Sequence, residues 1–186
     1  ALLSEPRFLR SLMNTLYITV VAVSLELILG LAIAMLIHEN FPGRGLARAA
    51  ILIPWAIPTV VSAKMWEWIL NPDFGVLNYL LGSNTHWLGH PVLAIHSVIL
   101  VDVWKTTPFA VLLLLAGLQV IPEDIYRASK VDGATAWKRF FHITLPLLKP
   151  VILITVLFRT LDTFRIFDVV YVLTGGGPAN TTETLS

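Results

Sequence analysis

The sequence predicts an all-α fold, a polytopic membrane helix bundle with a short cytoplasmic helix, and three observations carry that expectation. Of 186 residues, 56% are hydrophobic and only 13% charged, about half the charged share of a soluble domain, and the mean hydropathy is +0.76. Four apolar segments, 12–37, 49–70, 92–120 and 145–170, each reach the roughly 20 residues a helix needs to cross a bilayer. Lys and Arg gather in two of the connections, at Arg44/Arg48 and at Arg127, Lys130, Lys138 and Arg139, and are absent from 71–91 and 172–186. Positive charge stays on the inner side, so the two basic connections face the cytoplasm.

The first span, 12–37, contains Ala32-Ile33-Ala34, a mimic of a signal-peptidase site. Its apolar stretch is too long for a signal-peptide core, so it reads as a true span. Arg7 and Arg10 then fall on the outer side, against the charge rule, a conflict that an additional upstream helix removes. The second span, 49–70, carries Trp55 in a prolyl WAIP turn, and Trp66 and Trp68, with Trp87 in the following connection, fit an outer interface belt. His86, His90 and His96 lie near one another, but Gly82, Ser83, Asn84 and Gly89 argue for a loop, and no metal site is expected.

The third span, 92–120, holds Trp104 between Asp102 and Lys105, four residues before Pro108. An indole beside polar groups and a proline, whose ring frees a backbone carbonyl, is a candidate for stacking on a sugar ring. The fourth span, 145–170, carries Arg159, Asp162, Arg165 and Asp168 every three residues. Neighbours of opposite sign can pair on a helix, and charges inside a membrane are costly enough to suggest function. The series reads as structural ties near the outer surface or as the wall of a polar cavity. Lys64 with Glu67, and Asp102 with Lys105, repeat the pairing at the same spacing.

Between the third and fourth spans, 121–144 forms a basic amphipathic segment. Pro122 suits a helix start, and Glu123 and Asp124 oppose the positive end of the helix dipole. Lys130 falls in the last turn, and Asp132-Gly133 supplies a residue able to adopt the left-handed conformation that ends a helix. A short helix over about 122–131 follows. Ala128, Ser129, Gly133 and Ala134 are small and let another backbone approach closely, whereas Trp137, Phe140 and Phe141, interleaved with Lys138, Arg139 and His142, suit the inner membrane interface.

Arg127-Ala128-Ser129, three residues, Gly133, nine residues, then Ile143-x-Leu145-Pro146 matches the cytoplasmic signature, Glu-Ala-Ala followed by Gly and Ile-x-Leu-Pro at those spacings, of importer permeases. With Asn14-Thr15-Leu16, GRGLARAAILIPWAIP at 43–58, DVWKTTPFAVLLLLAGLQVIP at 102–122 and LTGGGP at 173–178, the chain resembles the maltose-type permease family of binding-protein-dependent ABC sugar importers. The resemblance implies one transmembrane permease domain over 1–186, with coupling loop 121–144, lacking an upstream and a downstream helix. It implies a multi-pass protein of a bacterial or archaeal cytoplasmic membrane. Partners would be separate ABC ATPase subunits, a second permease subunit in a heterodimer, an extracytoplasmic solute-binding protein and membrane lipid; the cargo would be a sugar. Arg127, Ala128, Ser129, Lys130, Asp132, Gly133 and Ala134 would couple to the ATPase subunit; Trp104, Arg159, Asp162, Arg165 and Asp168 would border the substrate path. Arg127 and Ser129 depart from the signature's commonest Glu and Ala, which unsettles any ion pair carried over from the family.

A net charge of +1 leaves no nucleic-acid footprint, and the absence of cysteine excludes disulfides and thiolate metal sites. No Gly is followed by Lys-Ser or Lys-Thr in the P-loop frame, so ATP hydrolysis by that route falls to another polypeptide and no cofactor or catalytic residue is expected here. Gly175-Gly176-Gly177 reads as a flexible outer turn. An ion-coupled secondary carrier, or a permease for glycerol phosphate or another non-sugar solute, is the alternative reading.

Overall fold

The computed structural model describes residues 5–186, and among them every regular element is helical. Helix α1 (Pro6–His38) opens with proline at its first position, where the missing N–H costs nothing, and its 33 residues are long enough to cross a bilayer. Helices α6 (Pro91–Val120) and α8–α9 (Ala136–Thr163) are also long and apolar enough to cross. Within the last, α8 (Ala136–Arg139) runs through a π-helical turn at Phe140–Thr144 into α9 (Leu145–Thr163). Pro146 removes an amide and pushes on the carbonyl four residues back, and the wider turn ahead of it relieves that crowding. The fourth crossing helix therefore covers 136–163 where 145–170 was expected.

The second expected span is broken. Helices α2 (Arg44–Ile51) and α3 (Ile53–Ala56) meet α4 (Thr59–Ile69) at a 91° bend. Ile57 and Pro58 are both extended, with ψ of 135° and 139°; for Ile57 the cause is the proline after it, which drives the preceding residue out of the helical region. Short helix α5 (Val76–Leu81) sits in the connection expected on the outer side, α7 (Glu123–Val131) in the basic one, and α10 (Asp168–Leu173) follows a turn after α9.

Helices α1, α6 and α9 pack on one another, α1 against α6 most extensively. A β-carbon at Gly30 would lie 3.1 Å from the Ala110 Cβ, and one at Gly117 only 2.8 Å from the Leu148 and Val151 side chains, so both glycines permit close helix contact. Two apolar cores result. One gathers Ile18, Ala22, Ala63, Val98, Val101 and Val169; the other gathers Ala34, Ile37, Val111, Leu114, Leu118 and Leu148. Between them, along α1, α6 and α9, lies a layer of buried polar residues: Glu26, Asp102, Lys105, Thr106, Arg159 and Thr163.

The segment after α10 is pinned, in contrast to the flexible turn expected at Gly175–Gly177. Thr182 Oγ1 donates to the Gly177 carbonyl at 2.8 Å, Leu185 N–H donates to Thr15 Oγ1 at 3.1 Å, and Asn14 Nδ2 donates to the Glu183 carbonyl at 3.0 Å. Arg7 grips the Glu183 carboxylate with contacts of 2.6 and 3.0 Å. That grip holds Glu183 below the usual carboxylate range, and it supplies the negative partner for the outer-side Arg7 that offended the charge rule.

Candidate functional site

The polar layer centres on Arg159, whose guanidinium reaches α9 neighbours and two other helices. Its Nε donates to Glu26 Oε2 at 2.5 Å and its Nη2 to Glu26 Oε1 at 2.9 Å, a two-pronged grip on α1. Nη2 also reaches Thr106 Oγ1 on α6 and Thr163 Oγ1, each at 3.0 Å, and Nη1 donates to Asp162 Oδ2 at 2.5 Å. Arg159 and Glu26 side chains are 2% and 0% exposed. A charge so far from water is tolerated only when paired and hydrogen-bonded.

Asp102 adds a second carboxylate. Its Oδ2 lies 3.6 Å from Arg159 Nη2, beyond hydrogen-bond distance, and is a buried acceptor without a hydrogen-bond partner. The expected Asp102–Lys105 pair does not form. Lys105 Nζ donates instead to the carbonyl of Ile57 at 2.5 Å, across to the bend of the second span. Lys64 and Glu67 do pair, at 2.5 Å.

Beside this layer opens a cavity of about 470 Å³, bounded by the Trp55–Thr59 bend, by Asp102, Lys105 and Thr106 of α6, and by Asp162 with Arg165–Val169. Sequence spacing placed Arg159, Asp162, Arg165 and Asp168 on one helix. The structure ends that helix at Thr163, so Arg165 falls in the turn and Asp168 starts α10. The turn is held from outside its own sequence: Thr184 Oγ1 and Ser186 Oγ donate to the freed Ile166 carbonyl at 3.0 and 2.6 Å. Asp162, Arg165 and Asp168 thus meet at the cavity wall, while Arg159 is buried in the adjoining layer. Trp104 does not join them. It packs edge-on against Trp66, with ring centroids 5.6 Å apart, away from the cavity lining. The aromatic that the cavity presents is Trp55, stacked on Phe109 at 6.1 Å and half-exposed.

Glu26 escaped sequence reasoning. The available signal was a lone carboxylate inside an apolar span, which is a functional pointer by itself.

The cytoplasmic helix α7 is built on local rules. Extended Pro122 stands just before its first residue, Glu123 and Asp124 occupy its first turn, and Lys130 its last. At its end Gly133 has φ +72°, Gly133 N–H donates to the Lys130 carbonyl at 3.1 Å and Ala134 N–H to the Ser129 carbonyl at 2.9 Å, the paired bonds of a left-handed glycine stop. Tyr126 Oη and Thr144 Oγ1, 2.9 Å apart, tie α7 to the π turn, and Arg139 Nη1 holds the Ala134 carbonyl at 2.6 Å. Arg127 pairs within its own helix, with Asp124 at 3.2 Å and Glu123 at 3.7 Å. Ser129 turns inward, buried, its hydroxyl donating to the Tyr126 carbonyl at 2.8 Å. Ile125, Ala128 and Val131, three residues apart, leave an exposed small apolar face, with Lys130, Asp132 and Gly133 exposed around it.

Comparison with known proteins agrees with this architecture. A family profile described as the binding-protein-dependent transport system inner membrane component matches residues 26–185. The chain is 50% identical over 188 residues to the trehalose/maltose transport system permease protein MalF of Thermococcus litoralis, covering 99% of this chain and 64% of that protein. It is 49% identical over 172 residues to the trehalose transport system permease protein SugA of Mycobacterium tuberculosis, covering 92% of this chain and 55% of that one. The chain therefore spans between about half and two thirds of the length of these relatives. In fold it superimposes on a chain in the crystal structure of a bacterial ABC transporter involved in the import of the acidic polysaccharide alginate, with TM-score 0.86 at 24% identity over 98% of this chain and 65% of that one. The signature around α7, the crossing helices and the matched profile place this chain in the family of binding-protein-dependent transport system inner membrane components.

Proposed function

We propose that the chain is the core of a transmembrane subunit of an ATP-driven importer that carries a sugar across the cytoplasmic membrane and couples to a separate ATPase subunit. Two ATPase subunits, a second permease subunit completing a heterodimer, and an extracytoplasmic solute-binding protein complete the machine. The observation that carries this reading is the pairing of a cytoplasmic helix braced on a crossing helix with a polar cavity between apolar cores. The trehalose and maltose named for its relatives point to the cargo class.

The cavity chemistry favours a neutral, hydroxyl-rich solute. Its wall carries three carboxylates, Asp102, Asp162 and Asp168, against two cations, Lys105 and Arg165. Asp162 is already held by Arg159, so Asp102 and Asp168 balance Lys105 and Arg165 and the wall offers no surplus of positive charge to a phosphate or carboxylate cargo, while half-exposed Trp55 is a face for a sugar ring. Asp162, Arg165 and Asp168 are assigned to the substrate path on this basis, with Arg159 positioning Asp162.

Coupling runs through α7. Ile125, Ala128, Val131 and Gly133 form the face that enters a groove of the ATPase subunit, flanked by Arg127, Lys130 and Asp132, with Ser129 and Ala134 bracing it from within. Nucleotide-driven movement of that groove passes through Tyr126–Thr144 into the fourth crossing helix.

The test is reconstitution of the full-length protein with its partner subunits in liposomes. ATP-dependent uptake of trehalose or maltose, stimulated by loaded binding protein, is expected. Uptake that follows an ion gradient without ATP overturns the reading. Topology is checked by single cysteines at Asn84 and Val131: an impermeant reagent applied to intact cells should label the first and not the second.

A further inference from the structure

The break in the second span leaves a polar group that the helix itself cannot satisfy. With Ile57 and Pro58 extended, the Ile57 carbonyl is turned out of the helical ladder, and an unsatisfied carbonyl inside a membrane is costly. Lys105, nearly buried on α6, sends its ammonium to that oxygen at 2.5 Å, joining positions 48 residues apart. The same Lys105 lines the cavity together with the Trp55–Thr59 bend.

We propose that Lys105 is a positioning residue of the transport path, capping the Ile57 carbonyl so that the broken second span is held at a fixed angle against the cavity. The assignment rests on the cavity being the solute path. Lys105 acts through backbone: it fixes Trp55 and Thr59 over Asp102 and Thr106, and a methylene chain of the same length without a donor cannot do so. Pro58 creates the requirement, since it drives the preceding Ile57 out of the helical region and turns that carbonyl away from the Val61 amide that a continuous helix would offer it.

The experiment uses the protein, with no cysteine among these 186 residues and any other cysteine replaced, assembled with cysteine-free partner subunits. Spin labels at Leu46→Cys on α2 and Trp68→Cys on α4, both well exposed and outside the cavity lining, report the angle across the break as a distance distribution. The parent should give a narrow distribution, Lys105→Met a broadened one, and Lys105→Arg, which keeps a charged donor, a narrow one. Uptake should fall about tenfold in Lys105→Met and recover in Lys105→Arg, as expected for loss of one charge-assisted hydrogen bond. A distribution in Lys105→Met as narrow as the parent overturns the proposal, and so does equal broadening in Lys105→Arg. Should Lys105→Met fail to assemble, Pro58→Ala/Lys105→Met decides: restored helical hydrogen bonding should rescue assembly, and failure to rescue overturns the cap. If the parent complex takes up no sugar, the cargo assignment fails while the distances still judge the cap.

Discussion

Arg159 and Arg127 perform the same chemistry in opposite surroundings. Arg159 is 2% exposed and grips carboxylates of α1 and its own helix; Arg127 is 71% exposed and pairs only with Asp124 and Glu123 of its own turn. Desolvation makes the first arrangement all-or-none, because a buried charge that loses its partner cannot turn to water. The second contributes little, since water screens the pair and either side chain can leave it freely. The buried layer therefore fixes how three helices meet, whereas the α7 surface stays available to another protein.

The largest expected effect breaks the buried side of that contrast. Glu26→Ala removes the two-pronged partner of buried Arg159, leaving it Asp162 and the more distant Asp102, and should cost up to about 3–5 kcal/mol, read as a drop in the melting temperature of the purified complex. Adding Arg159→Met should recover much of the loss; a double variant less stable than the single one would deny that the two residues act as a pair.

Next comes Gly133→Val on the exposed side. A side chain at φ +72° is strained by about 1 kcal/mol or more, yet a β-carbon there meets nothing within 4 Å inside the chain. Stability of the membrane region should hardly change, while uptake and binding-protein-stimulated ATPase activity fall together. Wild-type values for both would remove α7 from coupling.

Asp162→Ala and Arg165→Ala fall between the two regions, at the cavity wall. Each should weaken uptake at limiting sugar with assembly intact, Asp162→Ala also loosening the Arg159 layer slightly because it holds Nη1 at 2.5 Å. Normal uptake by both variants would make the wall purely structural.

The smallest effect belongs to surface ion pairs. Arg127→Ala should shift stability by less than about 1 kcal/mol, with any loss appearing in retention of the ATPase subunit on purification. At the outer clamp, Arg7 lowers the Glu183 value below 4.5, so the clamp contributes fully above that pH and weakens as pH falls through the lowered value. Hydrogen exchange at the Leu185 amide should quicken, relative to its intrinsic rate, on acidification below pH 4.5; an unchanged protection factor would show that the other bonds of the segment suffice.

Short-range physics was legible in the chain. Hydropathy marked four apolar segments, of which the structure keeps three as long helices, the last shifted to 136–163; Glu123, Asp124, Lys130 and Gly133 specified α7 to within a residue, because dipoles and a left-handed stop act over one turn. The prolines at 54 and 58 marked the WAIP turn, although the 91° bend depended on what could receive the freed carbonyl. Spacing by three did foretell Lys64–Glu67 and Arg159–Asp162, but the pairings between helices were decided by the tertiary structure. Spacing by three suggested Asp102–Lys105 and a continuous Arg159–Asp168 series, yet Arg159 chose Glu26, 133 residues away, and Lys105 chose a backbone carbonyl. Sequence spacing reports which groups share a turn; which groups must pair is settled by desolvation, when helices distant in sequence exclude water from the same layer.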